Sequence, residues 1–410
     1  MKHISVRLTF LALTLAMLLP FALAQNLAPP APQKLTVHSN ILNEDRIVWV
    51  RTPRNYERGK DRLPVLYLTD GPTHIHLMDA AIDFLSQQDR MPELIVVGIA
   101  NTDRSRDLTP SHSDAKNPDG KVADPTSGGG DRFLDFIQNE LMPVIDQRYR
   151  TAPYRVFAGH SYGGLMAIHI LITRPDMFQA YIAASPSLWF DNQRTLHEAQ
   201  DFFAAHAELS KTLFLALGGE DNSHGPMRAS FEELQQTLAA KTPKDFHWDW
   251  ARYPDEDHGT MVWRAYYAGL RTVFADWQTP RDPNNGMPVG GLGGMEKHYR
   301  ELSARYGYEV PLPEGPLNNL GYQLLGQKKV DEAIAVFQRN VALYPYSANV
   351  YDSLGDGLQA AGKLDLATQS VQKAVEVGTQ TNDPNLDPFK QHLKKLTAEA
   401  NAAREKAEHK

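Results

Sequence analysis

The chain has 410 residues, no cysteine and a formal net charge of −7 at neutral pH. Thiolate chemistry, disulfides and cysteine-ligated metal sites are thereby excluded, and the acidic balance argues against nucleic acid or an anionic membrane as the main partner. The length suffices for one large domain and a smaller one.

Residues 1–24 have the layout of a secretory signal. Lys2 and Arg7 make a positive start, Leu8 to Phe21 a mostly apolar run, and Ala22-Leu23-Ala24 a small-x-small cleavage site before Gln25. The apolar run is short for a spanning helix. Export is the expectation, most simply to a bacterial periplasm. Loss of Lys2 and Arg7 would take the charge from −7 to −9.

After Pro29, Pro30 and Pro32, the segment from Lys34 to Pro53 alternates apolar and polar residues, as antiparallel strands at a sheet edge do. From Leu63 the pattern changes. Val65-Leu66-Tyr67-Leu68 and Leu94 to Ile99 are continuous apolar runs separated by a helical pattern over Met78 to Gln88. Such runs predict buried parallel strands covered by helices on both faces. A polar stretch, Asn101 to Gly130, predicts an ordered loop over the carboxyl edge of that sheet, where open α/β sheets hold ligands. Asp131 to Gln147 reads as a helix with Pro143 interrupting it near its end.

Arg155-Val156-Phe157-Ala158 is the next strand, and it runs into Gly159-His160-Ser161-Tyr162-Gly163-Gly164. A serine in Gly-x-Ser-x-Gly between a strand and a helix is the nucleophile-elbow pattern. The serine needs neighbours without side chains so that strand and helix can approach closely. The same turn puts the Tyr162 N–H where an oxyanion would develop. Further strands are expected at Ala180 to Ala184, Leu213 to Leu217 and Phe246 to Tyr253, with helices over Ser230 to Ala240 and Thr260 to Trp277.

Beyond Trp277 the composition breaks. Thr279 to Gly294 is rich in Pro, Asn and Gly and reads as a linker. Leu317, Leu320, Gly321, Leu324 and Ala333 then recur 34 residues later as Tyr351, Leu354, Gly355, Leu358 and Ala367, the period of tetratricopeptide repeats. The expected division is 1–24 signal, 25–278 α/β domain, 279–313 linker and preceding cap helix, 314–381 two repeats, and 382–410 capping helix and charged tail.

A serine nucleophile needs a base and an acid, and behind an elbow of this kind they follow it in the order serine, acid, histidine. His258 lies in a loop after the last strand and is the candidate base. His160 and His169 sit in the elbow and its helix, and His74 and His76 precede the serine. The acid is expected after the strand ending at Leu217, where Glu220 and Asp221 both qualify and Glu220 is favoured. The second oxyanion donor is expected from Thr69-Asp70-Gly71-Pro72-Thr73. Pro72 has no N–H, which leaves Gly71. Trp189 is a candidate pocket wall. Arg104 and Arg106 could receive an anionic substrate, or pair with Asp107 and pin the loop. A metal at Asp255, Glu256, Asp257 and His258 is disfavoured, since consecutive side chains rarely converge on one ion.

The elbow, Arg104 to Pro110, Ser185-Pro186-Ser187-Leu188-Trp189 and Asp257-His258-Gly259 together resemble the putative-esterase (esterase D-like) group of α/β hydrolases, over roughly Lys34 to Trp277. That group includes trilactone siderophore esterases and S-formylglutathione hydrolases. The resemblance implies an α/β-hydrolase fold with Ser161 as nucleophile, His258 as base and the acid at Glu220. The expected activity is cleavage of a small-molecule carboxylic ester through an acyl-enzyme, with no cofactor. Acyl transfer to another acceptor, or a binding module whose repeats recruit a protein to an inactive hydrolase domain, are the alternatives.

Overall fold

Eight strands form one sheet: β1 (Gln33–Ser39), β2 (Glu44–Arg51), β3 (Leu63–Leu68), β4 (Ile95–Ile99), β5 (Thr151–His160), β6 (Ala180–Ala184), β7 (Thr212–Leu217) and β8 (His247–Arg252). The structure, a computed structural model, describes residues 30–408 except 55, 58 and 221–225. The signal-like segment 1–24 lies outside the described residues. Strand order is β1-β2-β4-β3-β5-β6-β7-β8. β2 runs antiparallel to β1 and β4, and every other pair is parallel. Along β3, Val65 and Tyr67 enter one core while Leu66 and Leu68 enter another. Both faces are therefore dry, and the strand reads as an unbroken apolar run.

The first core lies under α2 (Arg104–Leu108), α3 (Gly130–Phe136), α4 (Met142–Arg148), α5 (Tyr162–Thr173), α6 (Phe190–Ala205) and α7 (Met227–Ala240). A π-helical turn, Ile137–Leu141, joins α3 to α4. Pro143 directly follows this wider turn in a run that stays helical from Gly130 to Arg148, with Met142 N–H reaching back to the Ile137 carbonyl, and the π-turn is where the proline is accommodated. The helix α6 has no counterpart in the sequence reading. Asp191, Asn192 and Gln193 hold left-handed backbone at its start, and the buried positions after them, Thr195, Leu196, Ala199 and Phe203, make only a sparse apolar stripe. The second core lies under α1 (Gly71–Gln87) and α8 (Met261–Val273).

That second core does not stop at residue 278. In α9 (Gly291–Tyr306), Met295, Tyr299, Leu302 and Tyr306 are buried in it. The Tyr306 ring meets Tyr154 at 4.9 Å and Trp277 at 5.7 Å, and His298 Nε2 bonds the Trp277 carbonyl at 3.0 Å. The segment expected as linker and cap helix is thus packed onto the α/β body. Beyond it come α10 (Glu314–Gly326), α11 (Val330–Leu343), α12 (Ala348–Ala360), α13 (Leu364–Thr381) and α14 (Leu386–Glu408). α12 and α13 begin 34 residues after α10 and α11. A side chain at Gly321 would overlap the Phe337 ring, and one at Gly355 would overlap Val371. The same small-against-large pair recurs in each helix hairpin. Among the described residues, no helix is long and apolar enough to cross a membrane.

Candidate active site

β5 delivers Ser161 at φ 60° and ψ −117°, a strained conformation for a residue with a side chain. The surroundings over-determine it. Ser161 N–H donates to the Ala184 carbonyl at 2.9 Å, and its own carbonyl accepts from Leu165 N–H at 2.9 Å. A Cβ on Gly159 would overlap the Gly163 backbone, and one on Gly163 would overlap Thr69 Oγ1. Strand and helix can meet at this angle only because both positions are glycine.

Two helices start beside the serine. Tyr162 is the first residue of α5 and Gly71 the first of α1. They follow the paired parallel strands β5 and β3, so both helix starts emerge at the same sheet edge. First-turn N–H groups have no partner within their helix and carry the positive end of its dipole, which suits a developing oxyanion. Gly71 was expected in a loop. It instead opens α1 directly, because Asp70 takes left-handed backbone (φ 55°) as the N-cap.

The candidate base and acid meet. His258 Nδ1 lies 3.2 Å from Glu220 Oε1, with the Glu220 side chain fully buried and that of His258 20% exposed. Burial raises the Glu220 carboxyl. Hydrogen bonds from His258 and Ser185 outweigh it and hold the group below its ordinary value. Glu220 is therefore ionised and able to orient an imidazole. Asp221 lies outside the described residues. The His160 ring, attached next to Ser161, sits 4.4 Å from the His258 ring, which puts the base beside the elbow. Burial, then His258 and His74, pushes His160 down to about 3, so this neighbour stays neutral.

The charged neighbours of His258 diverge. Asp255 pairs with Arg264 at 2.8 Å. Asp257 Oδ1 accepts from Gly259 and Thr260 N–H groups, tightening the turn that carries the histidine.

Both arginines of the long loop are committed to carboxylates. Arg104 bonds Asp70 through Nε at 2.8 Å and Nη2 at 3.1 Å, reaches the His160 carbonyl at 3.1 Å, and lies over the Tyr162 ring. It braces the elbow from the α1 side. Arg106 forms a two-pronged pair with Glu44 and also bonds Asp107. Trp189 is half-buried against Phe190, with its Nε1 shielded from solvent. Sequence reasoning left Ser185 and Ser187 without roles, although each hydroxyl touches this site. Ser185 donates to Glu220 Oε1, and Ser187 Oγ lies 3.3 Å from Ser161 Oγ.

Comparison with known proteins identifies the family. Residues 39–272 match the family model described as "Putative esterase". The siderophore triacetylfusarinine C esterase of Aspergillus fumigatus is 30% identical over 280 residues, 58% of this chain and 91% of that protein. The ferri-bacillibactin esterase BesA of Bacillus subtilis is 30% identical over 219 residues, 48% of this chain and 74% of that protein. An IroE-like serine hydrolase from Shewanella oneidensis superposes with a TM-score of 0.65 at 30% identity, over 77% of this chain and 99% of that one. The chain belongs to the esterase family of α/β hydrolases and is an ester hydrolase.

Proposed function

We propose that the protein is an exported serine esterase that opens siderophore esters through an acyl-enzyme. The observation that carries this reading is the buried Glu220–His258 pair beside a serine held at φ 60° on the strand-to-helix turn. His258 takes the Ser161 proton as Oγ attacks the ester carbonyl, and Glu220 stabilises the resulting imidazolium. N–H groups of Tyr162 and Gly71 receive the tetrahedral oxyanion. As the C–O bond breaks, the imidazolium protonates the departing alkoxide. Water activated by His258 then releases the acid and restores Ser161. The siderophore class is taken from the named activities of the relatives. Export rests on residues 1–24. The helix hairpins α10–α11 and α12–α13 fit tetratricopeptide units, whose surface would recruit a protein partner.

Ser161→Ala is expected to lower turnover of both a chromogenic short-chain ester and a siderophore ester by roughly four to six orders of magnitude. A fluorophosphonate should label wild type at Ser161 and leave the variant unlabelled. Undiminished turnover in pure Ser161→Ala protein would sink the nucleophile assignment. Cleavage of the simple ester alone would sink the siderophore reading.

A further inference from the structure

Ser185-Pro186-Ser187 links β6 to Trp189 and α6. It passes between the two ends of the catalytic set. Ser185 is fully buried, holds left-handed backbone at φ 40°, and donates its hydroxyl to Glu220 Oε1, the oxygen that also faces His258 Nδ1. Two residues on, the buried Ser187 donates its N–H to the Ser161 carbonyl at 3.2 Å, and its Oγ lies 3.3 Å from Ser161 Oγ. The segment is itself fixed. Ser185 N–H bonds the Ala216 carbonyl at 2.7 Å, and a side chain on Gly164 would press on the Ala184 carbonyl and Pro186. Backbone strain at a buried hydroxyl residue persists only where the surroundings hold it, and such strain gathers at functional positions.

We propose that Ser185 and Ser187 are positioning residues, one short rigid turn setting the acid and the nucleophile in register with each other. Ser185 keeps one Glu220 oxygen aimed at His258. Ser187 selects the rotamer of the Ser161 hydroxyl before the base takes its proton. The proline between them limits the backbone, so neither hydroxyl drifts independently. This assignment rests on the Ser161–His258–Glu220 reading above.

The test uses the full-length protein, a chromogenic short-chain ester and fluorophosphonate labelling, with thermal melting as the check on folding. Ser185→Ala removes the hydroxyl and keeps the strained backbone, whereas Ser185→Gly removes the hydroxyl and relieves the strain. Both should lower kcat about ten- to a hundred-fold, the worth of one hydrogen bond to a charged group, with KM changed by less than about three-fold. Ser185→Gly folds without the positive-φ cost, so the measurement survives if the alanine variant does not fold. Ser187→Ala should slow labelling and kcat together, and Ser187→Thr, which keeps a hydroxyl, should recover most of both. Wild-type kcat in folded Ser185→Gly would overturn the Ser185 role and reduce it to backbone geometry. Equal rates in Ser187→Ala and wild type would overturn the Ser187 role. Failure of wild type itself to label at Ser161 would instead strike at the underlying triad.

Discussion

At the scale of single residues, chemistry and strain coincide at the elbow. Ser161 stands at positive φ because Gly159, Gly163 and Gly164 leave room for the turn, and its neighbours hold it there by hydrogen bonds. Gly163→Ala would set a methyl against Thr69 Oγ1, a buried atom on a short side chain that cannot swing away. The expected loss is about 1–3 kcal/mol, with Thr69→Ala restoring part of it in the double variant, as read by urea melts. Glu220→Gln replaces the carboxylate but keeps its shape. It should lower kcat by roughly four orders of magnitude with little change in melting temperature, because an amide cannot stabilise the imidazolium. The candidate serine, base and acid were all readable as residue types in order. That the acid leans on Ser185 was not, because a hydrogen bond between residues 35 apart leaves no local pattern.

Among elements, α9 changes the molecule most. It lies in the segment expected as linker and cap helix, and its Tyr306 ring packs against Tyr154, Phe274 and Trp277 of the α/β body. A chain ending at Trp277 would expose that aromatic cluster and is expected to aggregate or melt well below the full protein. Tyr306→Ala in the full chain should cost about 3–5 kcal/mol by chemical denaturation. A polar group lies at the same junction. Burial pushes Asp89 up to about 6, with Arg281, His298 and Tyr299 around it and Arg90 beside it in the chain. Its folded value exceeds its ordinary 3.8, so the folded state binds the extra proton. Stability from this group is complete below about pH 4 and is lost as pH rises through about 6. Asp89→Asn should therefore flatten the pH dependence of the melting temperature between pH 4 and 7, and raise stability above pH 6. An unchanged pH profile in the variant would contradict this.

For the whole molecule, one question concerns where it works. Expressed with residues 1–24 in a bacterium, the protein is expected in the periplasmic fraction with Gln25 at its N-terminus, as intact mass would show. A cytoplasmic product retaining Met1 would refute export. Fold class was legible in the chain because parallel strands buried on both faces must be apolar throughout, as Leu66 to Leu68 and Ile95 to Ile99 are, and because the helix hairpins repeat at a fixed period. The elbow was legible because its glycines are a local requirement of a tight turn. Three features were decided only by tertiary structure. The helix α6, with its sparse apolar stripe, is fixed by the core it covers, α9 chooses the body as its packing partner, and Arg104 and Arg106 find carboxylates on distant elements. Local sequence sets backbone conformation and burial period. Which distant surfaces meet depends on the closed fold, and only there do two serines between β6 and α6 come to rest against both ends of the candidate triad.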